Sequence, residues 1–247
     1  MMKRYLYILL LLLCLAPAVA QTTQEQRAIQ QISRAAATLK SMQADFVQTK
    51  HLKMLGDKMV SRGRMCYQQS DKLRWEYTSP YAYTFVLNGN RVMVKKGTRR
   101  DVIDVNQNKM FKEIARIMMN SVVGKCLTDK QSFKVSMEES GQTYTATLLP
   151  QKKDMKQMYS RIVLVFNRQT SMVSKVTMYE KNGDTTEIVL KNAKANASVP
   201  ASEFAIETTQ AHYQPPPPPN LPEGRSWMPP TPPPLCRGRQ PVIQPNN

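Results

Sequence analysis

One stretch constrains this chain more than any other: Lys72-Leu73-Arg74-Trp75-Glu76-Tyr77-Thr78-Ser79-Pro80, followed at once by Tyr83-Thr84-Phe85-Val86-Leu87-Asn88-Gly89-Asn90. Leu73, Trp75 and Tyr77 alternate with Arg74, Glu76 and Thr78, the period of a strand with one apolar and one polar face. Tyr83, Phe85 and Leu87 repeat that alternation, and Asn88-Gly89 is a strong hairpin signal. Two neighbouring strands therefore place a row of large apolar groups on one sheet face. That much apolar surface must meet a core, a partner or a ligand.

The two ends of the chain read differently. Lys3 and Arg4 precede an apolar run from Tyr5 to Leu15, and Ala18-Val19-Ala20 supplies the small residues that a signal peptidase needs. Residues 1–20 are expected to be a signal peptide, leaving a secreted chain that starts at Gln21. Cys14 follows leucines rather than small residues, unlike a lipoprotein signal, and no later run is long or apolar enough to span a bilayer. At the other end, 13 of the 17 prolines fall after residue 208. Residues 209–247 are expected to be a proline-rich disordered tail of polyproline II character, which can neither pair in a sheet nor continue a helix. Residues 21–208 remain, enough for one domain with a sizeable core.

Lys and Arg number 35 against 18 Asp and Glu, a net charge of +17. Such an excess suits an anionic partner such as lipid headgroups, or simply a solvated surface that keeps the protein in solution. Nucleic acid is not expected, because the chain is read as secreted and its basic residues are scattered through strands. Of the cysteines that survive processing, Cys66 and Cys126 can form a bridge in an oxidising compartment and leave Cys236 over; buried free thiols are the alternative. No metal-ligand spacing is present, and no cofactor is expected.

In chain order, Thr22 or Thr23 can cap a helix, with Glu25 or Gln26 completing a capping box. Ile29, Ile32, Ala36, Leu39 and Met42 then recur at helical spacing, predicting an amphipathic helix of about four to five turns. From Ala44 the period becomes alternating. Asp45 to Lys50, Val60 to Gln68, the Lys72 and Tyr83 strands and Arg91 to Lys96 form a meander with turns at Gly56-Asp57 and Gly97. Between Asn108 and Val123, Met110, Phe111, Ile114, Ile117, Met118 and Val122 return to helical spacing, closed by Gly124. Such an inserted helix must cover a sheet face or one end of a barrel.

The meander resumes with Ser132 to Glu138, Thr143 to Leu149, Arg161 to Phe166, Met172 to Glu180 and Thr185 to Asn192. Arg161 to Phe166 is apolar on both sides, so it is expected to be covered on both faces. The fold class is mostly β: a curled antiparallel sheet of about ten or eleven strands forming an unclosed barrel, covered by the N-terminal and inserted helices.

Catalytic patterns are missing from this arrangement. Only His51 and His212 are present, neither beside a cysteine or carboxylate pattern, and there is no phosphate loop or nucleophile elbow, so an enzyme is unsupported. The sixteen methionines, among them Met65, Met93, Met110, Met118, Met172 and Met178, suit either ordinary core filling or a lining that adapts to apolar ligands.

The order of signal peptide, helix, Asp45-Phe46-Val47-Gln48, Gly63 to Tyr67, Lys72 to Tyr77, Pro80 and Asn88-Gly89 resembles the LolA-type periplasmic outer-membrane lipoprotein carriers. Leu149-Pro150, Arg161 to Phe166, Lys181-Asn182-Gly183-Asp184 and Phe204 fit the same pattern, which covers residues 22 to 208. The resemblance implies a half-barrel with a helical lid around a cavity for acyl chains. It implies a monomer in the periplasm that takes acylated lipoproteins from an inner-membrane ABC transporter to an outer-membrane acceptor, with transient contact with membrane surfaces. The lining it suggests is Phe46, Met65, Tyr67, Leu73, Trp75, Tyr77, Phe85 and Leu87 from the first strands. Leu164 and Phe166 come from a later strand, and Ile114, Ile117 and Met118 from the lid. Family carriers often open the tryptophan strand with an Arg-Pro pair whose arginine latches the lid; here Ser70-Asp71 stand there. Arg74 is the nearby candidate latch, although alternation points it away from Trp75, and a purely structural sheet role is the alternative. A lipid-binding envelope sensor on the same fold is the runner-up function.

Overall fold

A computed structural model describes the backbone of residues 16–106, 120 and 123–206, and side chains from residue 24 onward within those ranges. Eleven strands form one antiparallel sheet. The first six are β1 (Ser41–Leu52), β2 (Asp57–Gln68), β3 (Lys72–Ser79), β4 (Tyr83–Asn88), β5 (Arg91–Lys96) and β6 (Arg99–Asp104). The others are β7 (Phe133–Ser140), β8 (Thr143–Pro150), β9 (Tyr159–Asn167), β10 (Val173–Glu180) and β11 (Thr185–Ala195). Their order in space is β6-β5-β4-β3-β2-β1-β11-β10-β9-β8-β7, so β6 and β7, consecutive in the chain, are the two edge strands and the barrel is not closed. β1 and β11 pair from Met42↔Ala195 to His51↔Thr185, which joins the two halves of the chain at the centre of the sheet.

Helix α1 spans Ala16–Thr38. It begins before the expected cleavage point, so Thr22 and Thr23 are helical here rather than caps; the Ala-rich segment before them contains good helix formers that simply continue the helix. Ala28, Ile32 and Ala36 are buried one turn apart, whereas Met42 belongs to β1. Gln31 fastens this helix to the sheet: its Oε1 accepts from Tyr144 Oη at 2.9 Å, and its Nε2 donates to Arg168 O at 3.1 Å. Helix α2 (Lys153–Met158) bridges β8 and β9, with Met155 as its buried anchor. The helix expected between Asn108 and Val123 lies outside the described residues, apart from Asn120 and Val123. Gly124, which follows it, has a φ of 75° and opens a short 3-10 turn over Lys125–Thr128.

The sheet carries two apolar layers of unequal size. The inner one gathers inward residues of most strands with α1, whereas the outer one is a small patch of Cys66, Val86, Met93 and Phe204. The outer patch follows the registers Cys66↔Arg74, Arg74↔Val86, Val86↔Met93 and Met93↔Val102 across five strands. Phe204, fully buried, closes it from a 3-10 turn at Ala201–Phe204 in the segment that returns after β11. β9 is not covered equally on both faces as its sequence suggested. Ile162, Leu164 and Phe166 are buried, but Val163 and Val165 are half-buried. Thr145, Thr147, Lys175 and Thr177 flank those valines in register, so threonine methyls and a lysine stem replace a second layer.

The inner face closes over Gly63. Phe46 and Tyr77 are its register partners on the two neighbouring strands. A Cβ at position 63 would overlap the carbonyl oxygen of Glu76 and lie 2.5 Å from Phe46 Cζ. Gly63→Ala is therefore expected to cost about 3 kcal/mol, because both neighbours are held by the sheet. Urea denaturation monitored by circular dichroism checks this, and an unchanged midpoint would show that the strands separate without cost.

Candidate functional site

The inner wall is built from three cross-strand rows. Phe46, Gly63, Tyr77 and Tyr83 form one; Ala44, Met65, Trp75, Phe85 and Val94 the next; Met42, Tyr67, Leu73, Leu87 and Val92 the third. Strand alternation sends every one of these side chains to the same face, and register aligns them across β1 to β5. Phe46 stacks on Trp75 with ring centroids 4.3 Å apart and meets Tyr77 edge-on at 5.1 Å. Both geometries favour the ring quadrupoles.

Phe46, Met65, Tyr67, Leu73, Trp75, Tyr77, Phe85, Leu87, Leu164 and Phe166 all fall in one buried cluster, each 3 % exposed or less. Leu164 and Phe166 extend the wall into the second half of the sheet. Phe166 there lies against Gly124 and Ile32, where a Cβ on the glycine would come within 3.1 Å of the ring and 3.0 Å of Ile32. Ile114, Ile117 and Met118 lie outside the described residues. Val92 and Ile162 also line the cluster and were not singled out from sequence, and Met178, one of the methionines noted there, joins them. Their alternation was legible, but nothing in a strand pattern separates lining from core.

Gln48, opposite Ser61, is a buried polar group on this face. It is 3 % exposed and accepts a hydrogen bond from Tyr77 Oη at 2.9 Å. Burial pushes the Tyr77 phenol above its usual range, and pushes Tyr83 up to about 12 and the Cys126 thiol up to about 12. These groups stay neutral at physiological pH. The nearest charges on this face are at one end of it, where Lys50, two residues beyond Gln48 on the same side of β1, pairs with Glu180 at 3.0 Å; among the described residues no group of His, Cys, Asp and Glu could hold a metal ion.

Between α1 and the sheet a cavity of about 140 Å³ remains, lined in part by Ala36, Leu39, Met42, Val123, Phe166 and Met172. A volume of that order holds one small apolar molecule. A longer apolar ligand would require the wall to part.

The bridge expected between two cysteines is corrected, and for Arg74 the direction read from alternation holds. Cys66 and Cys126 are both free and buried, in different clusters on opposite faces of the sheet, so no bridge joins them. Arg74 does not reach the inner face. Its Nε lies 3.1 Å from Glu76 Oε2 and 3.3 Å from Glu203 Oε2, and its Nη1 donates to the Glu203 carbonyl at 3.3 Å. Arg64 joins the same two carboxylates at 2.7 and 3.2 Å. Arg74 thus clamps the returning C-terminal segment to the outer face, with Asn88 Nδ2 donating to the Phe204 carbonyl at 3.0 Å.

An open antiparallel half-barrel with an aromatic and aliphatic inner wall over β1 to β5, bordered at one end by the Lys50–Glu180 ion pair, is the architecture of a protein that houses apolar matter. The comparison with known families agrees: the family described as outer membrane lipoprotein carrier protein LolA matches residues 37–207, and the chain belongs to that family. An outer-membrane lipoprotein carrier protein of Legionella pneumophila (strain Corby) is 25% identical over 204 residues, covering 82% of this chain and 94% of the relative. One from Pseudomonas fluorescens (strain Pf0-1) is 24% identical over 198 residues, covering 78% and 92%. Among solved structures, a LolA superfamily protein from Nitrosomonas europaea aligns at 12% identity over 72% of this chain and 97% of its own, with a TM-score of 0.40.

The outer clamp is pH-sensitive. Burial alone would raise the Glu76 carboxyl, but hydrogen bonds and charge from Arg74 and Arg64 outweigh it and hold the group below its ordinary value of 4.5. A depressed folded-state pKa contributes stability above the ordinary value and loses it as pH falls through the lower folded value. The urea midpoint is expected to fall on acidification below about pH 4.5, and Glu76→Gln to flatten that part of the profile. An identical acid profile in the variant would remove Glu76 from the clamp.

Proposed function

We propose that this protein is a periplasmic carrier that takes the acyl chains of lipoproteins against its inner wall and shuttles them from the inner to the outer membrane. The observation that carries this reading is the uninterrupted apolar face of β1 to β5, whose three rows offer a ligand aromatic rings, methionine and leucine but no charge. Membership of the LolA family and the carrier names of its relatives support it. In this reading residues 1–20 direct export. An inner-membrane ABC transporter supplies the cargo, and an outer-membrane acceptor receives it.

The energetics suit a shuttle. Keeping a chain of about fifteen methylenes out of water is worth on the order of 12 kcal/mol, so free diffusion of the cargo is closed to it. The wall is not an empty slot. Phe46 and Trp75 are stacked on each other, and loading exchanges such contacts, about 0.5–1.5 kcal/mol per aromatic pair beyond area burial, for contacts to the chain. That exchange offsets part of the gain from burying the acyl chain and keeps binding reversible. Met65, Met42 and Met178 lend the lining adaptability, since their side chains change rotamer without losing contact.

Native mass spectrometry of the protein co-expressed with a triacylated lipoprotein, or with its unacylated counterpart, tests the proposal. A complex is expected with the acylated form only. Trp75→Glu, checked for folding by circular dichroism, is expected to lower the bound fraction at least about tenfold, because a carboxylate must be desolvated on that wall. Absence of any acyl-dependent complex from folded protein would overturn the carrier reading.

A further inference from the structure

The β1–β2 hairpin carries a feature that cargo binding does not use. β2 pairs with β3 only from Arg62 onward, so Asp57 to Ser61 and the turn before them extend past the end of β3, by about 16 Å at ordinary strand rise. Gly56, with a φ of 61°, and the bond from Leu55 N to Leu52 O at 3.2 Å close the tip. At its apex Met54 is 91% exposed and Leu55 72%, and Met59 on its flank is 43% exposed. Tyr81, 67% exposed, sits in the β3–β4 turn at the base of the overhang. Such groups at a convex tip are unusual on a folded surface unless they meet an apolar phase.

The charges around the tip are of one dominant sign. Lys53 and Lys58 flank the apex and are exposed, and Lys181 is exposed in the neighbouring β10–β11 turn. That turn is tied to α2, with its exposed Lys153 and Lys156, by the bond from Lys181 N to Met158 O at 2.8 Å. The carboxylates nearest β10 are already engaged, since Lys50 Nζ lies 3.0 Å from Glu180 and 3.9 Å from Asp184. Asp57, whose Oδ1 accepts from Lys58 N at 2.7 Å, and the exposed Asp154 are the opposing charges at this end.

We infer that the β1–β2 hairpin tip is a membrane-docking finger: Met54 and Leu55 enter the headgroup layer of an anionic phospholipid bilayer while Lys53, Lys58 and Lys181 pair with lipid phosphates. A bilayer fits better than a protein partner. The open hollow beside the apex is lined mainly by polar and charged residues, His51, Lys53, Asp57 and Lys58 among them, and Met54 and Leu55 are not part of its lining, whereas an interface of headgroups and acyl chains accepts a convex apolar tip ringed by ammonium groups. The finger stands apart from the inner wall, so docking and cargo binding fail independently.

Flotation of the cargo-free protein with vesicles tests this. Vesicles of phosphatidylethanolamine with phosphatidylglycerol are expected to carry the protein up, and vesicles of phosphatidylcholine alone are not. Met54→Asp with Leu55→Asp is expected to weaken partitioning more than about tenfold, since both apolar anchors are lost. Lys53→Glu with Lys58→Glu is expected to weaken it about tenfold or more, and about 0.5 M salt to do the same to the unaltered protein. All four positions are exposed turn or flank residues, and an unchanged urea midpoint confirms that folding is intact. Equal flotation with both lipid compositions, or undiminished binding by either double variant, would overturn the docking finger.

Discussion

The inner wall depends on one close approach, the Phe46 ring lying over Gly63. A side chain at 63 would strike both that ring and the backbone of the next strand, so the glycine lets β1, β2 and β3 bend towards one another and lets Phe46 reach across β2. Having crossed, Phe46 stacks on Trp75 and meets the edge of Tyr77. Those two rings are the cross-strand partners of Phe85 and Tyr83. The aromatic wall is therefore a consequence of a missing methyl group as much as of the rings themselves, and sheet curvature and ligand surface have the same origin.

The same strands serve two faces with different demands. Inward residues of β3 are Leu73, Trp75 and Tyr77; the outward residues between them are Arg74 and Glu76. A wall that opened for a ligand, as proposed, could not rely on its own packing to fix the strands. The outer face supplies an independent restraint. Arg74 and Arg64 grip Glu76 within the sheet and Glu203 beyond it, and Phe204 plugs the patch formed by Cys66, Val86 and Met93. Partly exposed ion pairs of this kind are individually weak, yet here they share two guanidinium groups with two carboxylates over a fully buried phenylalanine, so they act as a unit.

Much of this was legible in the sequence because strand alternation reports faces directly. Leu73-Trp75-Tyr77 and Tyr83-Phe85-Leu87 announced both their strands and their common side, and the structure pairs them residue for residue. β6 escaped notice: Arg-Arg-Asp-Val-Ile-Asp is an edge strand with Arg99 and Asp101 paired at 3.1 Å, and charge there protects a free edge rather than marking a face. α2 is too short for a helical period to emerge. The fate of Arg74 and of the cysteines was a matter of what covers the outer face, and the covering residue Phe204 lies 130 positions away from Arg74 in sequence. Alternation gave the direction of Arg74 but could not name its partner.

A carrier has to bind tightly enough to keep an acyl chain from water and loosely enough to surrender it, and the arrangement of polar atoms bears on that balance. A buried hydrogen bond of the inner wall, Tyr77 to Gln48, links the Phe46–Gly63–Tyr77 row to the next position of β1 towards the β1–β2 turn. A phenol held neutral by burial and satisfied by an amide loses nothing when a hydrocarbon slides beside it. Were the same position charged, parting of the wall would expose the charge to the chain and every loading step would carry a desolvation cost. In the proposed carrier, neutral, internally paired polarity would let the wall open along Phe46 and Trp75 while the register of β1 to β3 is kept. The hairpin that ends in Met54 and Leu55 continues the same two strands past the edge of that wall, so its exposed apex lies outside the surface against which a chain would rest.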